Sequence, residues 1–250
     1  MCGRYAAKKD PATLAVEFDA VDTTGPDHPG PDYNVAPTKR VFTVVQRHPR
    51  DEEGKPDPER TERSLRVMKW GFVPHWAKDP SVGSRMINTR SESVAEKPAF
   101  RSAIKRQRCL MPADGWYEWR REGKLKQPFY LTKRDGSSLA LAAIWSTWRA
   151  KDAEEGEPPL VTCSVLTTEA VGPLGEIHDR MPLVLPEDAW RAWLDPDRED
   201  VSELLVPPTM ELVDVLELRP ISDEVNNVRN NGPQLLEPID PETQVQATLL

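Results

Sequence analysis

Proline is the feature that most limits how this chain can fold. It occupies 25 of the 250 positions and recurs along the whole length. Because proline lacks a backbone N–H and disrupts helix interiors and central strands, long uninterrupted elements are excluded. Between the prolines, β-branched and aromatic residues form short segments typical of strands. The pattern predicts a β-rich mixed α+β fold, with strands and a few short helices in one domain.

Local signals place the individual elements. Asp10 before Pro11 is typical of a capped helix start, and Asp114-Gly115 indicates a bend within a strand region. Further short helices are expected over 97–107, 187–194 and 201–206. Strands are expected over 41–47, 65–73, 109–119, 160–167 and 182–185, and a hairpin is expected to join 129–131 to 139–144 through the turn at 133–136.

Nothing in the sequence divides the chain, and no internal repeat is visible. We expect one domain over residues 1–235, with 236–250 as a flexible C-terminal tail because that segment is polar and interrupted by proline. The charged segment 50–62 contains two prolines and is predicted to be an exposed loop or insertion.

Several classes of protein are excluded by composition. The longest apolar run, Leu139–Trp145, has seven residues, whereas a membrane-spanning helix needs about 20. The N-terminus has no apolar region typical of a secretory signal. Cys2, Cys109 and Cys163 are too few for a disulfide scaffold, and neither zinc-ligand spacing nor a phosphate-binding glycine loop is present. We therefore expect a cytoplasmic protein with no metal and no cofactor.

Charge is distributed unequally between the two halves of the chain. The 33 basic and 41 acidic residues give a net charge of -8, yet residues 1–134 hold 26 basic and 18 acidic residues, while residues 135–250 hold 7 and 23. This asymmetry indicates one basic face and one acidic face. The segment 97–108 has five basic residues and no acidic one. It could bind phosphates, although charge alone favours a solvated helix face.

Cys2 could have a distinctive reactivity because it is the second residue of the chain. Removal of Met1 would leave a cysteine with a free α-amine, whose reference pKa of about 7.7–8.0 keeps much of it neutral near pH 7. The amine can add to an aldehyde as a Schiff base, and the thiol can then close a thiazolidine ring. Closure within one residue benefits from a high effective concentration. The alternative is an incidental cysteine near a chain terminus.

Three further positions could carry chemistry, and each also has a structural interpretation. His178 suits proton transfer near neutral pH, or it is a structural histidine. Glu118 lies among aromatic residues, where burial would raise its pKa, or it is the outward residue of an alternating strand. Asn88 and Arg90 share one face if they lie in a strand, or they are a turn asparagine and a surface arginine.

Taken together, the motifs resemble the SOS response-associated peptidase (SRAP) family over residues 2–235. The resemblance covers nearly the whole chain, and six motifs in order make it far more specific than any single one. The motifs are Met-Cys-Gly-Arg at the start, Tyr33-Asn-Val-Ala-Pro-Thr38, Trp70-Gly-Phe-Val-Pro74 with Trp76, Ile87-Asn-Thr-Arg90, Ala113-Asp-Gly-Trp-Tyr-Glu-Trp119 and Ile177-His-Asp-Arg-Met-Pro182.

The resemblance implies an abasic-site sensor that crosslinks to single-stranded DNA. Its implied fold is β-rich, with strands curled around a positively charged DNA-binding cleft. It implies that Cys2 is the nucleophile once Met1 is removed, that Asn88 holds the sugar remnant and the amine, and that Glu118 is the acid/base. His178 is implied as the general acid that opens the deoxyribose ring.

The resemblance also assigns binding roles and a setting. Arg4 and Arg90 resemble phosphate contacts, and Trp76 resembles an aromatic residue that packs near displaced bases. The expected partner is single-stranded DNA containing abasic sites, with no membrane association, and the protein is expected to be a nucleoid-associated monomer. Self-removal of Met1 is the expected peptidase activity.

Two other functions remain open from the sequence. The first is an N-terminal-nucleophile cysteine hydrolase that uses Cys2, Glu118 and His178 to cleave peptides. The second is a non-covalent module that binds single-stranded or modified DNA, and whose binding would be fully reversed by salt.

Overall fold

Short strands dominate the structure, as the proline pattern predicts. The computed structural model describes residues 2–123 and 125–240. Its strands are β1 (Tyr5–Ala7), β2 (Val21–Asp22), β3 (Asp32–Val35), β4 (Arg40–Arg47), β5 (Glu62–Trp70), β6 (Asn88–Arg90), β7 (Arg108–Ala113), β8 (Gly115–Glu122), β9 (Leu125–Lys133), β10 (Leu139–Trp148), β11 (Leu160–Glu169), β12 (Arg180–Pro182) and β13 (Leu216–Pro220). Its α-helices are α1 (Pro11–Glu17), α2 (Ala103–Arg106), α3 (Glu187–Leu194) and α4 (Met210–Asp214).

The strands form two sheets. The smaller sheet has the order β13-β9-β8-β1-β3, and the larger has the order β12-β11-β10-β7-β4-β5-β2 with β6 paired to β11. β5 also pairs in parallel with β11, through Trp70 opposite Cys163. This extra pairing closes β4, β5, β11, β10 and β7 into a ring, so the expectation of a β-rich mixed fold is confirmed.

Three apolar clusters hold the layers together. The first joins the two sheets and includes Cys2, Trp70 and Trp116. The second covers the other face of the larger sheet, where Phe18 of the α1 C-cap stacks on Trp190 of α3 with ring centroids 4.6 Å apart. The third packs the outer face of the smaller sheet against residues 221–236. Cys2 is therefore buried between the two sheets.

The bend at Asp114-Gly115 carries the chain from the larger sheet into the smaller one. The backbone N–H of Asp114 donates to Ala6 O over 2.9 Å, and its side-chain Oδ2 accepts from Lys8 N over 2.6 Å. A Cβ at Gly115 would lie 2.4 Å from Leu131 O, so the close approach of β8 and β9 requires glycine. The crossing brings β8 beside β1.

The predicted hairpin between β9 and β10 is wrong. β9 pairs with β8 and β13 in the smaller sheet, whereas β10 pairs with β7 and β11 in the larger sheet. The physical reason is the apolar run Leu139–Trp145, which is buried on both faces. Such a strand needs a central position, which the larger sheet provides.

The predicted helix over 97–107 is helical only at α2. Upstream of α2, tight turns bury Phe100 beneath the larger sheet together with Ile104 of α2. Other boundaries also differ, and the strand predicted over 182–185 runs from Arg180 to Pro182 instead. β5 ends at Trp70 because Gly71 adopts φ +134, and the predicted helix over 201–206 is a 3₁₀ turn at Ser202–Leu204. The exposed loop predicted after residue 50 extends to the start of β5.

Arg108 at the start of β7 ties the helical face to the larger sheet. Its buried guanidinium donates to five backbone carbonyls, two at the end of α2, one in α3 and two beyond it. The acceptors are the carbonyl oxygens of Ile104, Lys105, Trp193, Asp195 and Arg198. We call Arg108 and these five acceptors the Arg108 cradle. Arg108 is the last residue of the basic segment 97–108, which could bind phosphates according to its sequence. In the structure this arginine instead holds the helices against the larger sheet.

The C-terminal segment begins with ordered contacts. Pro238 pairs with Ile221, and the backbone N–H of Ile239 donates to Pro220 O over 2.9 Å. The remainder of the predicted tail, 241–250, lies outside the described residues, as does Met1. In the part of the chain that the structure covers, no helix has the length and apolar character needed to cross a membrane.

Candidate active site around Cys2

Strand pairing brings Cys2 next to Glu118. β1 and β8 are antiparallel, with Tyr5 opposite Trp116 and Ala6 opposite Gly115. The same pairing continues toward the N-terminus, where the N–H of Tyr117 donates to Arg4 O over 3.0 Å. This register places Glu118 opposite Gly3, the residue after Cys2.

The Cys2 thiol lies in an apolar environment. The residue has no solvent exposure and belongs to the cluster between the sheets. Burial raises the pKa of the Cys2 thiol well above its usual range, and the nearby charge of Glu118 raises it further. The thiol therefore stays protonated at neutral pH until a neighbouring group takes its proton.

Glu118 is a buried carboxyl group adapted to proton transfer near neutral pH. It is 3% exposed. Burial raises its pKa to about 7, and the charge of Asp179 acts in the same direction. Both protonation states are thus populated at physiological pH, as general acid–base catalysis requires.

Asn88 connects β6 to Cys2. β6 lies parallel to β11 with Asn88 opposite Val165, and the Asn88 side-chain Nδ2 donates to Cys2 O over 2.7 Å. Its Oδ1 is buried and receives no hydrogen bond from any residue in the described ranges. An uncompensated buried acceptor is unfavourable, so this oxygen is available to a donor that arrives at Cys2.

His178 follows a 3₁₀ turn (Gly172–Glu176) and is held by its neighbours in sequence. Its Nδ1 accepts from the Arg180 N–H over 2.9 Å and lies 2.8 Å from Asp179 Oδ1. In the neutral ring, an accepting Nδ1 assigns the hydrogen to Nε2. Burial lowers the pKa of His178, although Asp179 opposes this shift. Burial therefore favours the neutral imidazole.

The predicted binding residues occupy different environments. Arg4 is half-buried and donates through Nη1 to Asn34 Oδ1 over 2.6 Å and to Val225 O over 2.9 Å, so its guanidinium also anchors the third apolar cluster. Trp76 is 60% exposed in the segment between β5 and β6. Arg90 is exposed at the end of β6.

The structure thus gathers Cys2, Asn88 and Glu118 through one hydrogen bond and one charge interaction. The burial pattern of β6 puts Thr89 inward, so Asn88 and Arg90 lie on the opposite side of the strand, as expected for residues two apart. Sequence reasoning assigned no role to Asp179, which acts on both Glu118 and His178. The sequence signal that could have identified Asp179 is its position directly after His178.

Possible metal ligands are not clustered among the described residues. Throughout residues 2–123 and 125–240, no three side chains of the His, Cys, Asp and Glu types are grouped as metal ligands.

Comparison with known proteins identifies a family. A family model described as SOS response associated peptidase (SRAP) matches residues 1–228. The abasic site processing protein YoqW of Bacillus subtilis (strain 168) is 32% identical over 241 residues, which cover 95% of this chain and 99% of that protein. The abasic site processing protein YedK of Escherichia coli (strain K12) is 33% identical over 245 residues, which cover 96% of this chain and 100% of that protein.

More distant relatives agree in sequence and in fold. The abasic site processing protein HMCES of Rattus norvegicus is 30% identical over 278 residues, which cover 96% of this chain and 76% of that protein. A crystal structure of a protein from Bacteroides thetaiotaomicron superposes with a TM-score of 0.79 at 23% identity, covering 96% of this chain and all of that one. That structure shows a shared fold.

Proposed function

The chain belongs to the SOS response associated peptidase family, and we propose that it senses abasic sites in single-stranded DNA and traps them covalently through Cys2. The names of its relatives describe abasic site processing. The observation that carries the proposal is the Asn88 hydrogen bond to Cys2 O, made beside a Glu118 carboxyl group whose pKa is raised to about 7.

The reaction begins at the open-chain aldehyde of the abasic deoxyribose. The Cys2 amine attacks C1′, and loss of water gives a Schiff base. The thiol sulfur then adds to the same carbon, and its proton passes to the nitrogen as the C=N double bond becomes single. The product is a thiazolidine, and the overall change consumes one aldehyde and releases one water.

Each polar side chain has a place in this sequence. Glu118 accepts and returns protons at the amine and the thiol, which its pKa of about 7 permits. Asn88 Oδ1, a buried acceptor, receives a hydrogen bond from the amine and directs its lone pair at C1′. His178 delivers a proton to the ring oxygen as the sugar opens. Burial lowers its pKa, so this step accelerates as a lower pH protonates more of the His178 imidazole.

The amine must be released before it can react. Met1 precedes Cys2 in the sequence, and only cleavage of that peptide bond makes the Cys2 nitrogen an amine. We propose that Glu118 takes the Cys2 thiol proton and that the sulfur attacks the Met1 carbonyl carbon, so that the Met1 acyl group moves from nitrogen to sulfur and the nitrogen takes up the proton as the free amine. Water then hydrolyses the thioester, which releases methionine and restores the thiol. Self-removal of Met1 is therefore part of the proposal.

DNA binding is assigned to exposed and cationic groups near the site. Arg90 lies on the same side of β6 as Asn88 and is exposed, so it can contact a phosphate close to the lesion. Arg4 supplies a second cation, and Trp76 presents an exposed ring on which a base can stack. Such combinations bind single strands with little sequence preference.

The direct test is a denaturing gel. Purified protein is incubated with a single-stranded oligonucleotide containing one abasic site, and the same oligonucleotide without the lesion is the control. We expect a slowly migrating adduct only with the lesion, and complete loss of that adduct in Cys2→Ala and in protein with an extended N-terminus. An adduct formed equally by Cys2→Ala would overturn the proposal, and turnover of a peptide without DNA would support a hydrolase instead.

A further inference from the structure

A second concave surface lies on the larger sheet, away from Cys2. It is an open groove of about 710 Å³, within the range of about 300–1,000 Å³ typical of small-molecule sites. We call it the arginine groove, and the polar and aromatic residues that line it include Arg40, Arg47, Arg66, Gln107, Trp145 and Thr147.

Strand geometry separates this groove from the Cys2 site. On β5, Arg66 precedes Trp70 by four residues, about 13 Å along an extended strand, and Trp70 is the residue that packs on Tyr5 next to the site. On β11, the groove residue Val161 likewise precedes Val165, the partner of Asn88, by four residues. The two surfaces lie toward opposite ends of the same strands.

Trp145 forms a platform on which a guanidinium is stacked. The Arg47 guanidinium carbon lies 4.1 Å from the centroid of the Trp145 ring, and Trp145 is only 5% exposed. Within the described residues the Arg47 side chain makes no hydrogen bond and no ion pair. Stacking fixes the plane of the guanidinium and leaves its N–H donors without a protein acceptor.

The positive charge in the groove is not balanced by its lining. No carboxylate in the described residues lines the groove. Glu62 lies opposite Arg47 in the pairing of β4 with β5, yet no ion pair joins them. Among the described residues, Arg66 donates only to the neutral Ser64 Oγ, over 2.9 Å. Arg40 alone is paired, with Asp27 at 2.8 Å.

The arginines also repel one another. Burial, followed by the charges of Arg66 and Arg50, lowers the pKa of Arg47 to about 10. The chain contains 41 acidic residues against 33 basic ones, so acidic partners are abundant elsewhere. A cluster of cations kept apart from them in a groove is the arrangement that an anionic ligand would relieve.

We propose that the arginine groove binds a nucleoside phosphate, either as a free nucleotide or as a unit of an oligonucleotide strand. Guanidinium groups bind phosphate oxygens through paired N–H donors. Thr147 and Gln107 offer hydroxyl and amide groups for the sugar or base, and Met68 and Val161 give the groove an apolar wall. The inference stands apart from the crosslinking reaction, since the groove and the Cys2 site lie toward opposite ends of the same strands.

The test measures binding without any crosslink. In full-length Cys2→Ala protein, affinities for thymidine 5′-monophosphate and for an undamaged 15-residue thymidine oligonucleotide are compared with those of Arg47→Gln/Arg66→Gln. Arg191→Gln, which removes an exposed cation on α3, is the matched control. We expect at least tenfold weaker binding in the double variant and less than a twofold change in the control.

The salt dependence gives a second readout that loss of folding would not mimic. Removing two phosphate contacts should lower the slope of log K against log salt for the oligonucleotide by roughly 1.4. If the double variant binds both probes more weakly, a free nucleotide is sufficient as the ligand of the groove. If it binds only the oligonucleotide more weakly, the ligand is a unit of a DNA strand. Absence of binding by the parent, or equal affinities in the double variant and the control, would overturn the proposal.

Thermal unfolding confirms that each variant is folded. Should the double variant unfold, Arg66→Gln alone repeats the test, because that side chain is exposed and bonded only to Ser64. Arg47→Lys keeps the charge but loses the planar stack, so its affinity should fall between those of the parent and the double variant.

Discussion

The molecule buries ionisable groups in two contrasting ways. In the Arg108 cradle, a buried cation donates to five carbonyl oxygens, including Ile104 O over 2.8 Å and Arg198 O over 2.7 Å. In the Cys2 site, burial instead drives pKa values toward the neutral forms of Cys2 and Glu118, and Asn88 Oδ1 is left without a donor among the described residues.

The contrast separates a buried group that stabilises the fold from buried groups that can react. A buried charge whose hydrogen bonds are satisfied fixes the position of the elements around it. A buried carboxyl group whose charged form is disfavoured remains ready to exchange a proton. The cradle should therefore respond to substitution with lost stability, and the Cys2 site with lost reactivity.

The largest expected effect is on reactivity at Glu118. Glu118→Gln keeps the shape but removes the exchangeable proton, so the rate of adduct formation should fall by about 10²–10⁴. Time courses on denaturing gels at saturating abasic DNA measure this rate. A rate within threefold of wild type would show that Glu118 is structural.

The same variant tests how the buried carboxyl group of Glu118 makes the free energy of unfolding depend on pH. Its pKa is raised from 4.5 to about 7, so the folded protein binds a proton more tightly than the unfolded chain. The free energy of unfolding of the wild type should therefore fall by about 3 kcal/mol as pH rises from 4.5 through 7. In Glu118→Gln this loss should be absent, as denaturant titrations at pH 5 and pH 8 can show.

Arg108→Gln should have the next largest effect, on stability. It leaves several buried carbonyl groups without donors, and the free energy of unfolding should fall by about 3–5 kcal/mol. Arg106→Gln is the control, because Arg106 is exposed and paired only with Glu199, and such pairs contribute at most about 1 kcal/mol. A similar loss of unfolding free energy in both variants would contradict the claim that the Arg108 cradle stabilises the fold more than an exposed ion pair does.

Arg90→Ala should have the smallest effect and should act on binding alone. Loss of one phosphate contact should weaken DNA affinity a few fold and lower the salt slope by about 0.7. Binding titrations at several salt concentrations with Cys2→Ala protein measure both quantities. An unchanged slope would remove Arg90 from the phosphate contacts.

Sequence reasoning recovered elements whose signals are local. The Asp10 cap forms as expected, with Oδ1 accepting from Thr13 N over 2.8 Å, and the bend at Asp114-Gly115 is present. It failed where packing between sheets decides. The turn after Lys133 has good hairpin residues, yet the first eight residues of β10 are buried in the larger sheet, so burial of the strand overrode the turn.

The candidate site was predictable in its residue types and in the desolvation of Glu118, but not in its long-range contacts. Aromatic neighbours in the sequence indicated that Glu118 would be desolvated, and its pKa is raised by burial. The contact of Asn88 with Cys2 O spans 86 positions and depends on parallel pairing of β6 with β11, which no local pattern encodes. The arginine groove likewise arises from residues on four separate strands.

Covalent trapping through the Cys2 amine is tested by intact-mass analysis of the protein with and without abasic single-stranded DNA. We expect free protein that lacks Met1, and an adduct whose mass equals protein plus DNA minus one water. An adduct that retains Met1 would contradict it, because the Cys2 nitrogen would then be an amide with no capacity to form the ring.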